Sequence, residues 1–169
     1  MESKIKKTKK SKQKSLAKKL GKTGTAIVAV LTFIGASFGA WQAYKYVNTK
    51  NAAGAWKIKL TTTKSSYKPY IGETMGIKIF LKQDGENITG TGEKWDYNGA
   101  ILPYDQHRKL ELEGTVDGKE LKINYILHGA KRESRGIFNL IVTEGEKKLE
   151  GTFLGTAGDA SGIVEGGRE

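Results

Sequence analysis

The sequence has no cysteine, which excludes disulfides, thiolate metal sites and a cysteine-anchored lipoprotein. Proline is nearly as scarce, with two in 169 residues, so the chain is not a proline-rich disordered segment. The two histidines, His107 and His128, belong to no His-x-x-x-His or Glu-x-x-His pair. No metal centre is expected from such a set. There is no thiol and no serine in a nucleophile-elbow setting, and the nearest approach to a dyad is Asp105 beside His107. The expectation is a protein without catalytic residues and without a cofactor.

Charge is plentiful but unevenly placed. The net charge of +11 suggests a nucleic-acid binder until its distribution is considered. Residues 1–24 carry ten lysines against Glu2, whereas residues 54–169 carry 17 basic and 17 acidic residues. The basicity is a tail on a neutral body, so DNA binding is not expected.

The segment behind the tail accounts for it. Thr25–Val47 reads TAIVAVLTFIGASFGAWQAYKYV, with no ionisable residue before Lys45 apart from Tyr44. A helix needs about 20 apolar residues to cross a hydrocarbon core, and Thr25–Tyr44 supplies them. Trp41, Tyr44 and Tyr46 stand at its far end, where aromatic rings favour the lipid–water interface. A single-pass inner-membrane anchor over residues 25–47 is expected, behind a basic cytoplasmic tail over residues 1–24. The alternative is a cleaved signal peptide, since a basic stretch, an apolar run and small residues also describe one. Within the segment, Gly35 and Gly39 form a G-x-x-x-G, and Ala36 and Ala40 repeat the spacing. Small residues four apart let helix backbones approach closely in lipid, so homo-oligomerisation through this helix is expected.

After a linker over residues 48–53 the period changes. Met75, Ile77, Ile79 and Leu81 alternate with Gly76, Lys78, Phe80 and Lys82, and Leu121, Ile123, Tyr125 and Leu127 alternate likewise. Period two means strands with one buried face. Asp84-Gly85-Glu86-Asn87, Asp117-Gly118 and Glu144-Gly145-Glu146 mark hairpin turns between such runs. Eight strands are predicted, near 54–63, 75–83, 88–95, 108–116, 120–128, 136–143, 148–156 and 161–167. One phrase recurs: Ile88-Thr-Gly-Thr91, Leu112-Glu-Gly-Thr115 and Leu149-Glu-Gly-Thr152. Glycines inside strands ease the bending a small closed sheet needs. Residues 54–169 are therefore predicted to form an eight-stranded antiparallel up-and-down β-barrel, with a β-sandwich as the alternative. Gly54-Ala-Trp56 resembles the Gly-x-Trp that begins lipocalin-like barrels, where the tryptophan closes one end.

Arginine is rare among the 29 basic residues, yet Arg108, Arg132 and Arg135 flank the loops before the fourth and sixth strands. In a meander both loops emerge at the same barrel end. Arginine grips phosphate with a planar fork and stacks on bases. Trp95, Tyr97 and Tyr104, placed at the long loop Asp96–His107, would supply stacking faces. These six are the candidate ligand-binding residues.

An anchor over Thr25–Val47 with a glycine-rich barrel behind it resembles the two-transmembrane/β-barrel effectors of bacterial cyclic-oligonucleotide anti-phage signalling. The stretches that carry the likeness are Ile77–Gly85, Leu112-Glu-Gly-Thr115, Gly136–Leu140 and Leu149-Glu-Gly-Thr-Phe153. The resemblance implies a barrel that binds a cyclic nucleotide, membrane segments that self-associate, and disruption of the inner membrane. That family has two spans where this chain has room for one, and ten cytoplasmic lysines before a single span would put the barrel outside. The alternative function is accordingly an anchored or secreted lipocalin-like barrel, facing outward, that binds a small apolar ligand or serves as an envelope interaction module.

Overall fold

A computed structural model of the chain describes residues 49–169, together with Ala40 and Trp41. The basic tail and the anchor, with Gly35, Ala36 and Gly39, lie outside the described residues; Ala40 and Trp41 are helical and exposed. Among the described residues no helix is long and apolar enough to cross a membrane.

Nine strands make up the described region: β1 (Gly54–Lys64), β2 (Thr74–Asp84), β3 (Asn87–Tyr97), β4 (Ala100–Ile101), β5 (Arg108–Asp117), β6 (Glu120–His128), β7 (Glu133–Thr143), β8 (Lys148–Gly155) and β9 (Ala160–Arg168). Every pairing is antiparallel. Long strands pair with their neighbours in sequence, and β9 returns to β1, with Leu60 opposite Val164. The β2–β3 pairing completes the ring. The result is a closed eight-stranded up-and-down barrel, not a sandwich; the two-residue β4 pairs with the end of β3 outside the ring. Closure leaves no long unpaired edge.

The alternation read from the sequence is the inside–outside alternation of the wall. Trp56, Ile58 and Leu60 of β1, Ile77, Ile79 and Leu81 of β2, and their counterparts on the other strands form one buried cluster. No polar or charged residue among those described is fully buried. The recurring phrase has a structural cause. Ile88, Leu112 and Leu149 are core residues, and Gly90, Gly114 and Gly151 come two residues later on the same inward phase. A Cβ on Gly114 would overlap the Lys122 carbonyl, and one on Gly151 the Asn139 carbonyl. Neighbouring strands coil too tightly at these points for any side chain.

Two boundaries differ from the predicted ones by more than one residue. β3 runs on to Tyr97, because a bulge at Trp95 keeps it paired with β2: Ile77 faces Lys94 while Gly76 faces Asp96. β7 begins at Glu133, so Arg135 belongs to a strand and not to the preceding loop.

Candidate functional site: the open end of the barrel

The two barrel ends are built differently. At one, Trp56 is completely buried and donates its indole N–H to the Ala52 carbonyl at 2.8 Å. The Arg168 guanidinium lies over the indole ring, 4.3 Å from its centroid. It donates to the carbonyls of Asn51, Ala53 and Glu146. The chain enlarges this lid as it arrives, with the Lys50 N–H bonded to the Gly118 carbonyl and the Ala52 N–H to the Gln83 side chain. The expectation that the Gly-x-Trp tryptophan closes one end holds.

At the other end, where β1, β3, β6 and β8 finish, the wall encloses a cavity of about 210 Å3. Leu60, Ile77, Leu110, Leu127 and Phe153 supply its apolar surface. Tyr125 stacks on Phe138 at 4.5 Å, and its hydroxyl lies in the space left by Gly136 and Gly155. Burial pushes the Tyr125 hydroxyl up to about 12. Polar groups gather at the mouth: Tyr70, Glu73, Lys94 and Tyr97. The Lys94 ammonium sits 4.0 Å above the Tyr97 ring. Burial raises the Tyr97 pKa first of all, and a hydrogen bond from its hydroxyl to Glu73 adds to the rise. Burial likewise lowers the Lys94 pKa, with the Glu73 charge opposing the shift.

The six candidate residues are distributed less tightly than the loops suggested. All lie toward the open end, but among them only Tyr97 lines the cavity. Arg108 and Tyr104 border a shallow depression on the outer wall with His107 and Lys109. The Arg108 fork is spent on its own loop, donating to the carbonyls of Asp105 at 2.9 Å and His107 at 2.8 Å. Arg135 pairs with Glu133 at 3.1 Å and borders a second outer depression with Ile126, Ile137 and Leu154. Arg132 is exposed on the β6–β7 loop. Trp95 faces outward, with the Lys78 ammonium 5.2 Å from its ring centroid. The structure therefore assembles no single arginine–aromatic pocket from these six.

Both histidines sit against carboxylates. His107 bridges Glu93, at 3.3 Å, and the Leu102 carbonyl, at 3.0 Å, which pins the β3–β5 connection; its carboxylate neighbour is Glu93 and not Asp105. His128 lies between Glu111 at 3.3 Å and Glu133 at 3.2 Å on the outer wall. No group of residues suited to a metal ion occurs among the described residues.

Sequence reading missed Lys94, Glu73, Tyr70 and Tyr125 as mouth and cavity residues. One signal was available for Lys94. Ile88, Gly90 and Gly92 set an inward phase that Lys94 continues. Compared with protein-family models and with curated proteins, the chain matches none.

Proposed function

We propose that the barrel is a binding module, without catalysis of its own, whose open end takes the apolar part of a small molecule. The observation that carries this reading is the asymmetry of the ends, with an apolar cavity behind a polar mouth at one and a filled, hydrogen-bonded lid at the other. Ligand sites are characteristically apolar concavities with a few convergent polar groups. At about 210 Å3 the cavity is smaller than the ~300–1,000 Å3 of typical pockets, so it suits a compact ligand or one end of an amphiphile. This is the lipocalin-like alternative, with residues 25–47 serving as a membrane anchor.

A second reading is favoured by one observation, the placement of Arg108, Arg132 and Arg135 around the same end. In it the rim engages the phosphates of a cyclic nucleotide, and Gly35, Ala36, Gly39 and Ala40 pack the membrane helices of an anti-phage effector into an oligomer that disrupts the bilayer. Calorimetry with a short-chain amphiphile and a panel of cyclic dinucleotides separates the two. The first reading expects amphiphile binding alone. A cyclic dinucleotide that binds, and loses about one to two decades of affinity in Arg132→Ala or Arg135→Ala but none in Lys147→Ala, would replace the first reading by the second. Lys147 is the control because it lies in the β7–β8 hairpin at the closed end.

A further inference from the structure

Two charged side chains line the cavity, Lys94 and Glu73, and they are not equivalent. The Glu73 carboxylate stands close enough to the Tyr97 hydroxyl to help raise its pKa, after burial. Lys94 is half-buried on the inward phase of β3, and its ammonium rests on the face of the Tyr97 ring. None of the ion pairs among the described residues includes it. An ammonium has three N–H donors and no acceptor, and the ring face attracts its charge without accepting in the manner of an oxygen. Withdrawing such a group from water is costly unless an acceptor compensates. The apolar wall beside it, Ile77 and Leu110, supplies none.

We propose that the molecule held in this cavity is a carboxylic acid, its carboxylate paired with the Lys94 ammonium at the mouth and its hydrocarbon part lying among Leu60, Ile77, Leu110 and Phe153. The proposal rests on the binding reading above and adds the class of ligand. A charge-assisted N–H···O contact is the strong kind, and in a half-enclosed site it is less screened than at the surface. Burial holds the Lys94 pKa below its ordinary value, Glu73 opposes the shift only in part, Arg108 adds to it and Asp96 opposes it. An arriving carboxylate opposes burial and Arg108 alike, adding to the compensation that Glu73 and Asp96 give only in part. Glu73 sets the limit. Its negative charge near Lys94 repels the carboxylate while stabilising the empty mouth.

The test compares octanoate with 1-octanol, which share a chain length and differ in charge. Both are titrated into the full-length protein in lipid nanodiscs, with the Lys94→Met and Glu73→Gln variants in identical nanodiscs so that uptake by lipid cancels. The proposal expects octanoate to bind more tightly than octanol, and Lys94→Met to weaken octanoate about tenfold while octanol changes less than about twofold. Glu73→Gln should tighten octanoate by a few-fold and leave octanol alone, which guards against a folding defect in the lysine variant. Equal affinity for acid and alcohol, with neither changed by Lys94→Met, overturns the carboxylate assignment and leaves the binding reading standing. Absence of binding by both overturns the binding reading with it.

Discussion

At the closed end of the barrel the polar groups of the lid find partners inside the chain: the Trp56 indole N–H, the three carbonyls under Arg168, the Lys50 and Ala52 amides. At the open end the groups are of the same chemical kinds, an aromatic ring under a cation and a carboxylate beside a hydroxyl, but they surround a space. Arg168 over Trp56 and Lys94 over Tyr97 are the same interaction in two settings. The first cation also donates to three carbonyls. The second has no such acceptors. A barrel of eight strands is just wide enough either to fill its interior or to hold one small ligand, and this one is filled at one end and encloses a cavity at the other. On the proposed reading the closed end supplies stability and the open end the site, which is where incomplete local satisfaction is expected.

If that division is right, substitutions at the two ends should separate stability from binding. The largest effect belongs to Trp56→Ala, which removes a fully buried ring from the lid and should cost about 3–5 kcal/mol by chemical denaturation. Affinity of the remaining folded molecules for ligand should be unchanged. Arg168→Ala comes next, because it strips the lid of its charge-assisted carbonyl bonds, and about 1.5–3 kcal/mol should be lost. A loss of ligand affinity matching the loss of stability in either variant would show that the ends are not independent.

The smallest effect is at the open end and is a matter of pH. Burial raises the Tyr125 pKa from 10.0 to about 12, so in that window the folded state keeps a proton that the unfolded state has released. The stabilisation is complete below pH 10 and is lost as pH rises toward 12. Tyr125→Phe should therefore melt much as the unmodified protein does at neutral pH, with a shallower decline in stability above pH 10. Tyr97, raised in the same direction, keeps some of the slope. An unchanged decline in the variant would mean that the hydroxyl is not held in the cavity wall.

Much of the scaffold was legible because it obeys a rule with period two. The apolar alternation of β2 and β6 located those strands, the Asp-Gly turns bounded them, and the inward glycines of the repeated phrase pointed to a tightly coiled wall. Trp56 was legible from three residues. The mouth was not, for two physical reasons. Lys94 looks like an ordinary surface lysine, since lysines are mostly exposed and the inward phase it continues is marked before it only by Ile88 and two glycines, Gly90 and Gly92. The bulge at Trp95 then shifts the phase, so that Lys94 and Tyr97, three residues apart, face the same cavity while Trp95 faces out. Strict alternation cannot put both inside. The arginines were placed at the correct end, but which way a loop side chain turns depends on local acceptors, and Arg108 turned back to Asp105 and His107.

The central claim is that ligand enters one end only. Nuclear magnetic resonance of methyl- and indole-labelled full-length protein in nanodiscs, titrated with octanoate, tests it most directly. Entry at the open end predicts shifts at Leu60, Ile77 and Leu110, which line the cavity, and none at Val116, Leu149 or the Trp56 indole, which pack the rest of the core. Shifts at Ile126, Ile137 and Leu154 on the outer wall, with the cavity residues silent, would contradict it.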